Sequence, residues 1–359
     1  MVSRILIIIQ RSNGDVLFSL PLINALFNYY NSPKIDLLVN SDTFSLAKLL
    51  PNVNYIHEFS YEKKKENQFT QEKNLLANIF RKYDLSINLT ASDRSVIYAI
   101  AASKKSISAI EKNNKKSWWK KILLSSYYFF NFNDHILINN SQSLNLLRIK
   151  HELKQPALEI SSKVFRRVEG LLKKIAVKNF IIFHPSAQYE YKIYPEKLRN
   201  ELLLLLSGLE VPIIITGSKN EIDSDIKKNI PEVPNIYDFI GKTSLEEYIA
   251  LSQLSLAYIG MDTLNMHVAA SQNKRIFAIF GPTLLHMWSP WSNNEKKSAN
   301  TNTPIQTYDE FTIFQANMPC VACGNAGCDN KNGNSDCLDN IDPKTIFIEI
   351  EKWYQKSKP

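Results

Sequence analysis

The sequence contains no apolar run approaching the roughly 18 residues that a bilayer-spanning helix needs. Its N-terminal apolar stretch, Ile5 to Ile9, is followed at once by Arg11 and Asp15 and is too short for the hydrophobic segment of a secretion signal. A membrane-spanning bundle is excluded, and the chain is expected on the cytoplasmic side. Cysteine is nearly absent: there are 4, all between Cys320 and Cys337. A small disulfide-stapled scaffold is therefore excluded, and the cysteines form one local feature. There is no short internal repeat and no recognised nucleic-acid-binding module. No G-x-G-x-x-G follows the first strand, which argues against a NAD-dependent oxidoreductase.

What is present fits a folded protein of two domains. The 359 residues are 44% hydrophobic and 22% charged, near ordinary globular usage. Lysine and arginine (43) exceed aspartate and glutamate (35) by 8. This excess favours acidic partners such as phosphates, anionic lipids or nucleic acid, without choosing among them.

Short β-branched runs alternate with helical patterns, the mark of βαβ units and a parallel sheet. In a first series, strands are expected at Arg4–Gln10, Ile35–Val39, Tyr55–Phe59 and Leu85–Asn88, with helices at Leu17–Tyr30, Phe44–Leu50 and Val96–Ala102. The stretch from Lys104 to Asn140 is less regular. A second series has strands at Phe180–His184, Pro212–Thr216, Ile236–Asp238, Leu256–Ile259 and Ile276–Phe280. Its helices fall at Glu196–Leu206, Ile222–Lys228, Ser244–Leu251 and Asn265–Ser271. The charged segment Ser161–Lys178 reads as the boundary, giving domains at 1–165 and 175–342 and a terminal helix at 343–359. Two doubly wound domains facing each other across a cleft are expected, with functional residues just after the strands.

The turns after strands carry the candidates. Asn13, Gly14 and Asp15 follow the first strand; Asp15 is either a first-turn acid stabilising a helix or a base for a substrate hydroxyl. In the second domain His184-Pro185-Ser186-Ala187 and Lys192-Ile193-Tyr194-Pro195 follow a strand and enter a helix. A lysine beside helix amides suits phosphate, although a lone lysine is more often solvated. Thr216 ends the next strand, and Glu221 is either a helix cap or a carboxylate for a ribose diol. In Asp262-Thr263-Leu264-Asn265-Met266-His267 a strand gives way to a helix whose amides, with Thr263 and His267, suit a diphosphate. The alternative is a capping Asp262 or Thr263 with His267 in the core.

The order SNGDV, HPSA, KIYP, TGSKNE, IGKTSLEEYIALSQLSLAYIGMDTLNMHVAA and IFGPT, followed by Met287-Trp288-Ser289-Pro290, resembles glycosyltransferase family 9, the bacterial heptosyltransferases of lipopolysaccharide. The resemblance runs from Arg4 to about Trp353. It implies the GT-B fold, two Rossmann-like domains with the acceptor on the first and the nucleotide sugar on the second. It also implies direct, inverting transfer of a sugar, heptose from ADP-heptose, to a lipid-linked core oligosaccharide, without a catalytic metal. Asp15 matches the general base, Lys192 the donor-phosphate contact, and Glu221 the ribose acid. Asp262, Thr263 and His267 match the diphosphate-binding helix start, beside Ser186, Thr216 and Asn265. Two positions depart from the pattern: Tyr194 stands for tryptophan, and Leu264 for the family glycine, which leaves open a different nucleotide-sugar donor. A non-catalytic nucleotide-sugar or lipid-binding relative is the alternative.

Two features remain. Cys320, Cys323, Cys328 and Cys337 have the spacing C-x2-C-x4-C-x8-C within a polar loop at 318–338. Four thiolates suit a structural zinc; disulfides and free thiols are the other two states. Lys115, Lys116, Trp118, Trp119, Lys120 and Lys121 combine positive charge with indole rings. The segment is either core aromatics with solvated lysines or a contact for the lipid acceptor and the anionic inner face of the inner membrane, with no nucleic acid bound.

Overall fold

The computed structural model describes residues 2–112, 114–331 and 333–357, apart from the side chains of 63–68. It divides into two compact units, residues 1–158 and 159–359, each an α/β body. The division falls before the charged segment that the sequence suggests as a linker.

In the first unit, strands β1 (Arg4–Ile9), β2 (Lys34–Asn40), β3 (Val53–Phe59), β4 (Leu85–Asn88), β5 (Ser106–Ile110) and β6 (Ser126–Phe129) form a parallel sheet in the order β3-β2-β1-β4-β5-β6. Ile5 to Ile9 are completely buried because β1 is central and covered on both faces, which explains its uninterrupted apolar run. Each such side chain contributes about 1.5–3 kcal/mol of burial. The helices are α1 (Asn13–Leu17), α2 (Leu20–Tyr29), α3 (Phe44–Ala47), α4 (Tyr61–Ile79), α5 (Asp93–Ala102), α6 (Trp118–Leu123) and α7 (Ile136–Leu146).

The single helix expected at Leu17–Tyr30 is broken into α1 and α2. Pro21 has no amide to donate and clashes with the carbonyl four residues back, so it starts a new helix as one of its first residues. The irregular stretch after Lys104 resolves into β5, α6, β6 and the start of α7.

The second unit holds α8 (Ser162–Lys174), β7 (Ile181–His184), α9 (Glu196–Ser207), β8 (Ile213–Ile215), α10 (Glu221–Lys228), β9 (Ile236–Asp238) and α11 (Leu245–Leu254). It continues with β10 (Ala257–Met261), α12 (Leu264–Ser271), β11 (Arg275–Ile279), α13 (Leu285–Trp288), β12 (Ile305–Tyr308), β13 (Phe311–Phe314), α14 (Asp336–Asp339) and α15 (Pro343–Ser357). The sheet order is β12-β13-β11-β10-β7-β8-β9, parallel except for the β12–β13 hairpin. The expected linker is thus helix α8. It buries Val168 and Leu172 and packs on α11, where Arg167 meets Glu247 at 2.9 Å. The terminal helix agrees with expectation as far as Ser357; residues 358 and 359 lie outside the described residues.

Strand order reverses between β1 and β4 in the first sheet, and between β7 and β10 in the second. At such points the connections diverge to opposite faces and leave a crevice beyond the carboxyl ends of the strands.

Candidate functional site

Beyond the carboxyl end of β1 the chain turns through residues 10–12 into α1. Asp15 sits in the first turn of α1 and is 4% exposed. One carboxylate oxygen accepts from the Ser12 hydroxyl at 2.7 Å and from the Ser12 amide at 3.2 Å. The other lies 3.1 Å from Nε of Arg11. The Arg11 guanidinium in turn lies over the Phe130 ring, 5.2 Å from its centre. Asp15 is therefore the first-turn capping acid of α1 and a charge held at the switch point of the sheet. Gly14 is buried beside it, and Asn13 is half-buried. The neighbouring turn is tied in by the Gln10 amide, which donates to the Thr90 hydroxyl at 2.9 Å, just past β4. Sequence reasoning missed Arg11. Its signal was an opposite charge four residues before Asp15.

In the second unit β7 and β10 approach closely at their carboxyl ends. Gly260 has φ +155°, and a Cβ there would lie 2.3 Å from the His184 carbonyl oxygen. Only glycine permits this contact. The His184 ring has two polar neighbours: Nδ1 is 3.0 Å from the Thr216 hydroxyl, and the Asn265 amide nitrogen is 3.0 Å from Nδ1 and 2.9 Å from Nε2. Burial pushes the His184 pKa down to about 4, partly opposed by the charge of Asp223, so the ring is neutral at pH 7. Thr216 and Asn265, both expected at the donor site, thus converge on a histidine. Ser186, on the same turn, is buried.

Lys192 ends a short turn of helix, and its ammonium lies 3.5 Å from Asp262, which is 7% exposed. Thr263 is the N-cap of α12, but its hydroxyl makes no capping bond and lies 3.5 Å from the Tyr258 hydroxyl. The positive end of the α12 dipole and the Lys192 ammonium therefore flank Asp262. His267, one turn inside α12, is pushed down to about 3 by burial and by Lys192, and packs against Trp288. It is a neutral core histidine. Leu264 is half-buried at the first helical position, where the backbone is ordinary and does not require the family's glycine.

Glu221 is exposed at the start of α10, whose cap is Asn220. The acid that shapes this turn is instead Asp223, which was not anticipated. It is buried and accepts from the Ser218 amide at 2.9 Å and hydroxyl at 2.8 Å.

The cysteine-rich loop packs onto the Lys192 turn. Ser335 donates to the Tyr191 carbonyl at 2.7 Å, and the Tyr194 hydroxyl donates to the Ile341 carbonyl. The Gly324 amide donates to Pro282 at 2.6 Å. Gly324 and Gly327 take positive φ (+79° and +81°). Cys320, Cys323 and Cys328 are exposed, Cys337 is buried, and all four are free thiols. Burial first, and then the three other thiols, raise Cys337 to about 11. Among the described residues no group of three or more His, Cys, Asp or Glu side chains is arranged to hold a metal.

The Lys115–Lys121 segment separates into two faces. Trp119 packs against the cluster of Val96, Ile110 and Leu124, and Lys120 is buried, bonded to Asp93 at 2.7 Å and to the Ala91 carbonyl at 2.8 Å. Lys120 is thus not available as the surface contact the sequence suggested, because its ammonium is buried against Ala91 and Asp93, while Trp119 is half-buried. Lys115, Lys116, Trp118 and Lys121 are exposed. Among the described residues, no helix is long and apolar enough to cross a membrane.

The chain matches Glycosyltransferase family 9 (heptosyltransferase) over residues 74–316. It is 24% identical to lipopolysaccharide heptosyltransferase 3 of Escherichia coli, over 79% of this chain and 85% of that one. The solved E. coli ADP-heptose lps heptosyltransferase II has a TM-score of 0.71 at 17% identity, with 99% of this chain and 100% of that chain covered. E. coli heptosyltransferase WaaC with ADP-2-deoxy-2-fluoro heptose gives 0.68 at 15% identity, covering 97% and 99%. These likenesses agree with two Rossmann-like units of the GT-B class. The chain belongs to glycosyltransferase family 9, the heptosyltransferases, and is a glycosyltransferase.

Proposed function

We propose that the protein transfers heptose from ADP-heptose to a hydroxyl of a lipopolysaccharide core acceptor on the cytoplasmic side, with inversion at the anomeric carbon. The first unit takes the acceptor and the second the donor. The observation that carries the reading is the pairing of Lys192 with Asp262 at the start of α12. There the partly exposed Lys192 ammonium, the helix amides and the Thr263 hydroxyl, itself 3.5 Å from that of Tyr258, are read as a receptor for a diphosphate that needs no metal. Glu221, exposed on the adjacent turn, is assigned to the ribose hydroxyls.

In the reaction the acceptor oxygen forms a bond to the anomeric carbon while the bond from that carbon to the diphosphate oxygen breaks. Asp15 accepts the hydroxyl proton, and the electron pair leaves with ADP. Lys192 and the α12 amides stabilise the charge that develops on the departing phosphate. Neutral His267 and His184 support the site as packing and hydrogen-bonding groups.

Leu264 favours one variation, a different sugar on the nucleotide, because its side chain occupies the place of a glycine at the helix start. The test is a panel of ADP-, UDP- and GDP-sugars incubated with heptosylated core acceptor and read by mass spectrometry. ADP-heptose is expected to add one heptose mass. Addition from another donor alone would reassign the donor, and no addition from any donor would overturn the reading.

A structural zinc on Cys320, Cys323, Cys328 and Cys337 belongs to the same proposal. Its support is the C-x2-C-x4-C-x8-C spacing, which supplies the four thiolates of a tetrahedral site. It requires the exposed part of the loop to close around the ion, and no catalytic step passes through it. About one metal ion per chain by elemental analysis is the expected result. Metal-free protein with unaltered stability in Cys323→Ser would contradict it.

A further inference from the structure

Helix α6 presents three of its four apolar side chains outward. Trp118, Ile122 and Leu123 are 65%, 68% and 57% exposed. Trp118 and Ile122 are four residues apart and share one face of the helix. They cannot turn inward, because the inner face is already occupied: Trp119 is packed in the cluster of Val96, Ile110 and Leu124, and Lys120 is pinned to Asp93 and Ala91. The exposed apolar face is therefore held in place.

Positive charge predominates along this segment, and the acidic Asp93 beside it is paired with Lys120. Residues 104–132 contain seven lysines and a single acidic residue, Glu111. Lys115, Lys116 and Lys121 are exposed beside the apolar face, and the Lys121 ammonium lies 5.3 Å from the centre of the Phe129 ring. A lysine in this setting lays its aliphatic stem along apolar surface and keeps its charge at the water boundary.

We propose that Trp118, Ile122 and Leu123, ringed by Lys115, Lys116 and Lys121, form a docking surface for an anionic lipid bilayer. The aliphatic pair enters the acyl boundary, the indole sits at headgroup level, and the lysines meet lipid phosphates. Two aliphatic side chains at the tip favour hydrocarbon over nucleic acid, whose bases stack on aromatic rings. The inference rests on this patch alone and holds whatever sugar the enzyme transfers.

The test uses the full chain and vesicles of phosphatidylethanolamine and phosphatidylglycerol at 7:3, with phosphatidylcholine vesicles for comparison. Wild-type protein is expected to sediment with the anionic vesicles, weakly with the neutral ones, and less at high salt. Trp118→Ser with Ile122→Ser should weaken binding at least tenfold, and each lysine replaced by alanine about fivefold. Phe69→Ser, which removes an exposed ring from α4, should bind as wild type. Unchanged ADP binding by the double variant shows that it is folded. Should it fail to fold, brominated lipids decide: they should quench wild-type fluorescence more than that of Trp118→Phe. The proposal is overturned if wild type ignores anionic vesicles, if the folded double variant binds undiminished, if quenching is equal in the two proteins, or if a single-stranded oligonucleotide is bound in preference to vesicles.

Discussion

Nε of Arg11 stands 3.1 Å from the Asp15 carboxylate, and the same carboxylate accepts two hydrogen bonds from Ser12. The acid assigned to proton transfer is thereby aimed by residues of its own turn. Arg11→Met should leave ADP affinity unchanged and lower kcat about tenfold, the equivalent of ~1.4 kcal/mol. Arg11→Lys, which restores the charge, should recover part of that loss. Steady-state kinetics beside calorimetric ADP titration checks both, and an unchanged kcat in Arg11→Met would remove Arg11 from the site.

Lys192 is 27% exposed and paired only with Asp262 among the described ion pairs, so its charge is accessible to a ligand. Lys192→Ala should weaken ADP binding about ten- to a hundredfold, the range of one lost charge-assisted hydrogen bond. The deficit should shrink in high salt. Equal affinities at low salt would exclude Lys192 from phosphate binding.

Two neutral buried histidines make stability depend on pH. Burial, with Lys192 adding to it for His267, lowers both folded pKa values below 6.5, so the unfolded chain binds protons that the folded chain refuses. Their contribution is fully present above pH 6.5 and is lost as pH falls toward about 4 for His184 and about 3 for His267. At ~1.4 kcal/mol per unit, His184 alone accounts for a loss on the order of 3 kcal/mol. Urea unfolding between pH 7 and pH 5 should show this slope, and a folded His267→Gln variant should flatten it.

How much of this was legible from residues follows physical lines. Strands β1, β7 and β10 are buried on both faces, so their apolar runs announced them. Helix α4 has no such mark: Lys, Glu and Gln crowd its sequence, and its ends carry no clear cap signal. Helix α8 hid its two buried residues, Val168 and Leu172, within a run of charge. Asp15, Lys192 and Asp262 stood out as candidates because each lies in a turn after a strand, where ligands bind in such folds. Asp223 and Arg11 act by closing turns, which spacing does not reveal. Lys120 read as a surface cation because nothing in the sequence indicates that Ala91 and Asp93 approach it.

Tyr194 shows what the departure from the family's tryptophan does. It is completely buried, and its hydroxyl satisfies the Ile341 carbonyl, joining the Lys192 turn to the segment after the cysteine loop. Tyr194→Phe leaves that carbonyl without its partner and should cost about 1–3 kcal/mol in chemical unfolding. ADP affinity should fall a few-fold as well. A loss of stability with ADP binding unaltered would mean that the brace does not reach the phosphate site.

The central claim is tested most directly by Asp15→Asn assayed for heptose transfer from ADP-heptose, with ADP affinity measured on the same preparation. Asparagine keeps the size of the side chain and removes its capacity to take a proton. Removal of a general base lowers kcat about 10²- to 10⁴-fold. The expected result is a fall within that range with ADP affinity retained. Turnover within a few-fold of wild type would contradict the account.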